Sequence, residues 1–236
     1  MSEGGFAGMD RSVPYHSAIM VKSDPEAYPR YALPSGYSIA LYEAGMEEGW
    51  ARLQSEVGGV GSIDRARTVF AREFLLGRKM DWEDESIERV DPADVPSSPL
   101  YGKARERIVL ALDPSGEVAG TGALWDGDHF GETLPRVHYI GVGAAHQGRG
   151  IAKAIMTRLM DLCREVGSRG DIYLTTQSWS HRAIRVYKRF GFVPYIGEKP
   201  VNWKLTAEDE ERGFREAAIE AWELINGIIG EGGGGR

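Results

Sequence analysis

The run from Val142 to Ala152, Val-Gly-Ala-Ala-His-Gln-Gly-Arg-Gly-Ile-Ala, has the residue types and spacing that bind phosphate. A strand predicted over residues 137–142 precedes it, and apolar residues at helical spacing follow it. Gly148 and Gly150 allow the backbone to approach a ligand, and the first free amides of the helix, with the positive end of its dipole, attract anions. The predicted chemistry of this loop is therefore the binding of a phosphate or pyrophosphate.

Two common phosphate-binding motifs do not match this loop. A P-loop requires Gly-x-x-x-x-Gly-Lys-Ser/Thr, and no hydroxyl residue follows Lys153 near the start of the helix. The dinucleotide fingerprint Gly-x-Gly-x-x-Gly would need its third glycine at His146 or at Lys153. The pattern that does match is Gln-x-x-Gly-x-Ala, formed by Gln147, Gly150 and Ala152.

A second motif follows the first in sequence. After a strand predicted over residues 172–176 comes Ser-His-Arg-Ala-Ile-Arg-Val-Tyr-Lys-Arg-Phe-Gly-Phe, from Ser180 to Phe192. The two motifs together resemble the GNAT superfamily of acyl-CoA-dependent N-acetyltransferases, whose signatures are Arg/Gln-x-x-Gly-x-Gly/Ala and Asn-x-x-Ala-Ile-x-x-Tyr-x-x-x-Gly-Phe. The resemblance extends from Tyr37 to Leu205. Ser180 replaces the asparagine of the family, so a shorter hydroxyl would cap the helix or bond the cofactor at that position.

The resemblance implies acetyl-CoA as co-substrate. Amides of the glycine loop would bind its pyrophosphate, and the edge of the preceding strand would pair with its pantetheine amides. Arg149 would either add charge at the phosphates or be solvated. The cofactor residues implied are Ile140, Gly141, Val142, Gln147, Gly148, Arg149, Gly150, Ile151, Ala152, Ser180 and Tyr187.

Acyl transfer to an amine needs a proton donor for the departing thiolate and a base for the amine. Tyr187 matches the tyrosine of the family, and a phenol with a pKa of about 10 is protonated at neutral pH. The alternative is a core tyrosine. His138 is the candidate base, because strand alternation places it on the face of Ile140 and Val142 and an imidazole has a pKa of about 6.5. The alternative is a structural histidine. The histidines have no metal-ligand spacing, so no metal is predicted.

The acceptor residues are predicted only by position. In this family, the loop between the first two helices and the loop before the glycine-loop strand border the acceptor. The candidates there are Trp50, Glu56, Trp125, Asp126, Asp128, His129 and Glu132. Their aromatic and acidic mixture suits an amine-bearing small molecule or a peptide N-terminus. The acidic run from Asp81 to Asp94 is interpreted as a solvated loop in preference to a binding surface.

Composition narrows the class of protein. With 236 residues, 42% of them hydrophobic, the chain can bury a sizeable core. The single cysteine, Cys163, is predicted to be a reduced core residue. A net charge of -7 argues against a nucleic-acid partner. The sequence contains neither a signal peptide nor an apolar run long enough to span a membrane, which predicts a cytoplasmic protein without a membrane partner, as a monomer or homodimer.

The elements predict an α/β (α+β) fold with a mixed, mostly antiparallel sheet flanked by helices, in which the phosphate-loop strand and the next strand run parallel and splay apart at the cofactor. Residues 1–35 are predicted to be an extended arm with no core of its own, 36–206 the acetyltransferase-like domain and 230–236 a flexible glycine-rich tail. A helix over residues 207–229 is predicted to pack on its own domain in preference to a subunit interface. Predicted strands cover 37–41, 107–112, 117–125, 137–142, 172–176 and 201–205, and predicted helices cover 46–57 and 64–76.

The leading hypothesis is an N-acetyltransferase that transfers an acetyl group directly from acetyl-CoA to a primary amine, with Tyr187 as acid and His138 as base. One alternative is a non-catalytic module that binds and senses acyl-CoA. Another is transfer of a longer acyl group, or transfer to oxygen.

Overall fold

The computed structural model describes residues 8–167 and 170–230. Seven strands form one sheet in the order β2-β3-β4-β5-β6-β1-β7. Only β5 and β6 pair in parallel among the described strands, and the other neighbours are antiparallel. The predicted fold class is therefore confirmed. The strands are β1 Ser17–Lys22, β2 Ser38–Leu41, β3 Ile108–Leu112, β4 Val118–Gly127, β5 Leu134–Val142, β6 Ile172–Gln177 and β7 Val193–Pro194.

Helices cover both faces of the sheet. They are α1 Glu47–Glu56, α2 Ile63–Val69, α3 Tyr101–Arg107, α4 Ile151–Glu165, α5 His181–Arg189, α6 Ala207–Arg212 and α7 Phe214–Ile229. One apolar core lies between the sheet and α4, α5 and α7, and includes the buried free thiol Cys163. A second core lies between the sheet and α1, α2 and α3. Alternate residues of β3 enter the two cores, as the pleat of a strand requires.

The prediction of an extended arm over residues 1–35 is wrong, because this region contains β1. Ala18, Ile19 and Met20 are buried, and β1 pairs with β6 over its whole length and with β7 on its other side. The hydrogen-bond partners of β1 are far away in sequence, and prolines on both sides of this short strand obscure it locally. Residues 1–7 lie outside the described part of the chain.

The C-terminal region differs from its prediction in two places. Residues 201–205 do not pair as a strand: Asn202 has a φ of 62°, and the side chains of Trp203 and Leu205 pack in a small apolar cluster. The helix expected from residue 207 is interrupted at Gly213, with a φ of 90°, which separates α6 from α7. α7 packs against β1 and α5 of the same chain. Of the tail predicted over 230–236, only residue 230 is described.

The helical region over residues 63–76 changes its winding halfway. After α2, the turns widen into a π-helix over Phe70–Leu76, called here the π segment. The acidic run that follows is a coil that folds back on these helices, where Arg72 pairs with Asp84 and Glu88. Part of that run is therefore paired, and the predicted solvated loop describes only the rest of it.

Candidate functional site

A cavity of about 740 Å³ opens where β5 and β6 separate. The two strands pair only at Arg136 with Tyr173 and at Val137 with Leu174. Beyond these pairs, the ends of both strands, the glycine loop and the first turns of α4 and α5 line the cavity. The predicted splay of the parallel strands is thus present, and it opens this cavity.

The glycine loop presents unpaired amides to this cavity. Gly148 and Gly150 have φ angles of 75° and 86°, a conformation that strongly favours glycine. α4 starts at Ile151, and no side chain of the described residues caps it. The described residues provide no hydrogen-bond acceptor for the amides from Gly148 to Ala152. These amides and the helix dipole form an anion site that suits the pyrophosphate of coenzyme A.

Most of the cofactor residues implied by the motifs lie together on the cavity wall. They are Ile140, Gly141, Val142, Gln147, Gly148, Gly150, Ile151, Ala152, Ser180 and Tyr187. Gln147 also stabilises the loop, because its Nε2 donates a hydrogen bond to the Val142 carbonyl at 3.0 Å. Ser180 does not cap α5; its hydroxyl accepts from Gln177 Nε2 at 3.0 Å.

Arg149 is exposed and lies off the cavity wall, so its predicted contact with the phosphates is not supported. Lys153 and Arg182 line the cavity instead. Sequence reasoning treated neither as a cofactor residue. Each lies in the first turn of a helix that borders the cavity, and that position was the signal that could have identified them.

Tyr187 belongs to both the core and the cavity wall. It is 7% exposed, and its ring contacts Phe192 at a centroid distance of 6.4 Å. Burial raises the pKa of its hydroxyl well above the ordinary value for tyrosine. The phenol is therefore protonated at neutral pH and retains a proton to donate. Both interpretations of this residue, core tyrosine and acid, are compatible with its position.

His138 lines the cavity, but not on the predicted face of β5. The pairing of β4 with β5 shifts by one residue between Thr121 and Ala123, because β5 has one extra residue there. Tyr139 lies at this bulge and has a φ of 50°. The bulge reverses the alternation, so Ile140 points towards the core under α4, whereas the His138 ring stacks on Tyr139 on the α1 side. The prediction that His138 shares a face with Ile140 and Val142 is wrong for this reason.

The His138 ring is held by an acid that the sequence did not single out. Its Nε2 lies 3.1 Å from Oε2 of Glu73, in the π segment. Burial and the nearby Arg136 lower the pKa of His138 to about 4, although Glu73 acts in the opposite direction. Burial alone would raise the pKa of Glu73, but His138 and Arg136 outweigh it, so the net shift is downward. At neutral pH the pair is a neutral imidazole beside a carboxylate.

The predicted acceptor residues are elsewhere. Trp50 and Trp125 are buried in the core under α1, and Asp126 pairs with Lys103 and Arg107. Three of the remaining candidates have other partners. Glu56 accepts a hydrogen bond from the Ala144 amide, Asp128 pairs with Lys79, and His129 forms a hydrogen bond with Tyr173. The last candidate, Glu132, is exposed on the surface. Within the described part of the chain, none of these seven lies on the cavity wall.

Other residues from α1, the loop after it and the acidic run complete the cavity wall. Gln54 and Val57 come from α1 and its end, Gly59 from the following loop, and Trp82, 55% exposed, from the acidic run. The loop after the first helix therefore does border the cavity, as expected, but through residues with small or apolar side chains. The position of this loop along the chain was enough to predict that it borders the cavity. Which of its side chains reach the cavity depends on the orientation of α1, which the sequence does not show.

No group of three or more His, Cys, Asp or Glu side chains in residues 8–167 and 170–230 could hold a metal ion. In the same ranges, none of the helices has the length and apolar character needed to cross a bilayer.

Comparisons with known proteins agree with the geometry. A model of the acetyltransferase (GNAT) family matches residues 68–192, more than half of the chain. A GCN5-related N-acetyltransferase from Sphaerobacter thermophilus superposes with a TM-score of 0.52 at 18% identity, over 83% of this chain and 51% of that one. A protein of the same description from Kribbella flavida gives 0.43 at 18% identity, over 78% and 54%. An acetyltransferase from Trypanosoma brucei gives 0.44 at 15% identity, over 72% and 99%.

The present chain spans about half the length of the Sphaerobacter and Kribbella proteins. At 18% identity, the superposition on the Sphaerobacter protein shows a shared fold and nothing more. No curated protein sequence matches the chain.

Proposed function

The chain belongs to the GNAT acetyltransferase family, and on this premise we propose that it is an acetyl-CoA-dependent N-acetyltransferase acting on a primary amine of a small molecule or peptide. Membership supports acyl transfer in general. The observation that carries the finer proposal is that Tyr187, His138 and the unpaired amides of the glycine loop all line one cavity. A proton donor, a neutral base and an anion site are thus available to one bound acyl-CoA and one amine.

Binding of acetyl-CoA would use mainly the backbone. The amides from Gly148 to Ala152 suit the pyrophosphate, and the free edge of β5 after Val137 suits the pantetheine amides. Lys153 and Arg182 provide positive charge on the cavity wall for the remaining phosphate. When bound, the thioester supplies an activated acetyl group.

Two side chains of this protein would each transfer one proton during the reaction. His138 accepts the proton that the amine loses as its nitrogen bonds to the acyl carbon. Tyr187 gives its hydroxyl proton to the sulfur as the carbon–sulfur bond breaks. An amide and a free thiol result, after which Tyr187 regains a proton and His138 releases one to solvent, so that charge and protons balance. A cytoplasmic location is part of the same proposal, supported by the buried, free thiol of Cys163.

Calorimetric titration with acetyl-CoA and with its desulfo and dephospho analogues, followed by a thiol-release assay against a panel of amines, tests the proposal. Tight binding with turnover of any amine would support it. Binding without turnover on a broad panel would favour a non-catalytic acyl-CoA sensor, and turnover only with longer acyl groups or with alcohols would correct the acyl or acceptor class. Failure to bind acetyl-CoA would contradict it.

A glycine pair provides a matched control for the cofactor site. Gly150 in the loop and Gly116 in the β3–β4 turn have φ angles of 86° and 87°, and an added Cβ would meet no neighbour at either position. An alanine costs about 1–3 kcal/mol of strain in such a conformation. We expect Gly150→Ala to weaken acetyl-CoA binding roughly tenfold or more as the loop relaxes, and Gly116→Ala to leave the dissociation constant unchanged. Equal affinities of the two variants for acetyl-CoA would show that the loop does not bind the cofactor.

A further inference from the structure

The π segment departs from regular α-helical winding, and Glu73 lies in its middle. π-helical turns are rare and occur frequently at functional sites. The preceding residue, Arg72, points to the acidic run and pairs with Asp84 and Glu88. The Glu73 side chain, in contrast, points inward and is only 15% exposed. An acid buried to this degree requires compensating partners.

The partners of Glu73 all come from β5. His138 lies 3.1 Å away, Tyr139 interacts with the same carboxylate, and Arg136 contributes a positive charge. The Nε of Arg136 is itself buried without a hydrogen-bond partner in the described residues. His129 is the remaining titratable group near His138. Among these groups, His138 and Tyr139 line the cavity and Glu73 does not.

We propose that Glu73 is a positioning residue, which holds the His138 ring with Nε2 protonated and leaves Nδ1 unprotonated as the atom that accepts the proton of the amine. An ionised carboxylate accepts hydrogen bonds only, so the ring nitrogen facing it must carry the hydrogen. A neutral imidazole has one such hydrogen, and Nδ1 therefore keeps its lone pair. Nδ1 has no hydrogen-bond partner within the described ranges.

The bulge in β5 makes this arrangement possible. A regular strand would turn His138 to the other face of the sheet, away from the π segment. With the extra residue, the ring lies on the side of Glu73 and stacks on Tyr139 at a centroid distance of 3.8 Å. Two irregular elements, a π-helix and a bulge, therefore meet at one hydrogen bond, 65 residues apart in sequence.

Nitrogen-15 NMR of the histidine side chains tests the tautomer without an acceptor substrate. In the unaltered protein at pH 7, we expect His138 to be neutral with its hydrogen on Nε2. In Glu73→Gln, the amide can donate or accept, so we expect a mixture of tautomers and a lower pKa for His138. Glu85→Gln removes an exposed carboxylate as control and leaves both signals unchanged. A hydrogen on Nδ1 in the unaltered protein overturns the proposal, even if the variant fails to fold.

The catalytic consequence rests on the proposed function and has a separate readout. With any amine that is turned over, Glu73→Gln should lower kcat roughly 10²-fold or more, the order that a general base contributes. The KM for the amine and the dissociation constant for acetyl-CoA should change little, and Glu73→Asp, which keeps the charge, should recover part of kcat. An unchanged kcat in Glu73→Gln refutes the role. If no amine is turned over, the proposed function fails, while the NMR result still decides the tautomer.

Discussion

Tyr187 contributes to packing with its ring and to the cavity with its hydroxyl. The ring lies in the core under α4 and α5, and the described residues offer no hydrogen-bond partner for the hydroxyl. Such a hydroxyl contributes little to the free energy of unfolding, because no protein hydrogen bond is lost with it. Its effects on stability and on turnover can therefore be separated by one substitution.

We expect Tyr187→Phe to lower kcat roughly 10²–10⁴-fold, since general acid catalysis contributes about that much. Calorimetry should show nearly unchanged binding of acetyl-CoA, and the urea midpoint should be unchanged or slightly higher. Tyr28→Phe, which removes a hydroxyl that bonds Asp161 away from the cavity, is the control and should keep full turnover. Undiminished turnover in Tyr187→Phe would show that Tyr187 is not the general acid.

The depressed pKa of His138 predicts a pH-dependent stability. The folded chain binds the proton with a pKa of about 4, compared with 6.5 for an exposed imidazole, because burial disfavours the charged ring. Between these values the unfolded chain binds more protons, so the stability is complete above pH 6.5 and falls as the pH drops towards 4. At 1.36 kcal/mol per pKa unit, the total is about 3 kcal/mol.

Urea denaturation from pH 7 to pH 4.5 measures this effect. We expect the unfolding free energy of the unaltered protein to fall more steeply than that of His138→Gln, which has no proton to bind at this position. The imidazole also lowers the pKa of Glu73, so the same comparison is made in a Glu73→Gln background, where the difference in slope reports His138 alone. Parallel curves would show that His138 titrates normally in the folded state.

Among the elements, the N-terminal segment, residues 8–16, forms part of the cavity. Gly8 and Met9 line the wall, and the segment is bonded to the turn before α5. The Asp10 amide donates to the Trp179 carbonyl, and Trp179 Nε1 donates to the Val13 carbonyl, both at 2.9 Å. Tyr15 packs edge-on against the same indole. The Trp179 side chain thus contacts this segment beside the cavity, together with Ser178, which bonds Pro14 and His16, and His181, which bonds Asp10.

Trp179→Ala should release the N-terminal segment. We expect faster hydrogen exchange in residues 8–16, measured by mass spectrometry, and faster dissociation of desulfo-CoA as Gly8 and Met9 leave the wall. Trp82→Ala removes another indole from the same cavity without touching the segment, and should leave this exchange unchanged. Unaltered exchange in Trp179→Ala would mean that the backbone bond of Asp10 and the bonds of Ser178 and His181 suffice to hold the segment.

Elements whose signals are local could be predicted, and elements defined by distant pairing could not. The glycine loop and α4 combine turn glycines with a long apolar period, which short windows of sequence reveal. β1 depends on pairing with β6, so nothing next to it in sequence indicates its place. The bulge at Tyr139 adds one residue to a strand, and the π segment widens the turns of a helix. Because a one-residue shift reverses side-chain direction, the position of the glycine loop was predicted correctly while the surroundings of His138 were not.

At the scale of the whole molecule, α7 closes the core beneath α4 and α5. Trp222, Ile225 and Ile229 pack in that core, and Phe214 and Ala218 pack in a smaller cluster with Ile19 and Tyr173. The apolar stripe of the helix is therefore covered by its own chain. This placement also buries β1, which lies between β6 and β7 and directly under α7. The helix is part of the fold, and its removal would expose both clusters.

Two isoleucines on α7 test how the helix contributes to stability. Ile225 is fully buried, whereas Ile219 is 39% exposed on the same helix. Removing a buried isoleucine side chain costs about 2–5 kcal/mol, including the cavity that remains, while an exposed substitution usually changes stability by less than about 0.5 kcal/mol. We expect Ile225→Ala to lower the urea midpoint accordingly and Ile219→Ala to leave it nearly unchanged. Since the partners of Ile225 lie in the same chain, the loss should be the same at every protein concentration; a loss that disappears on dilution would instead place α7 at a subunit interface.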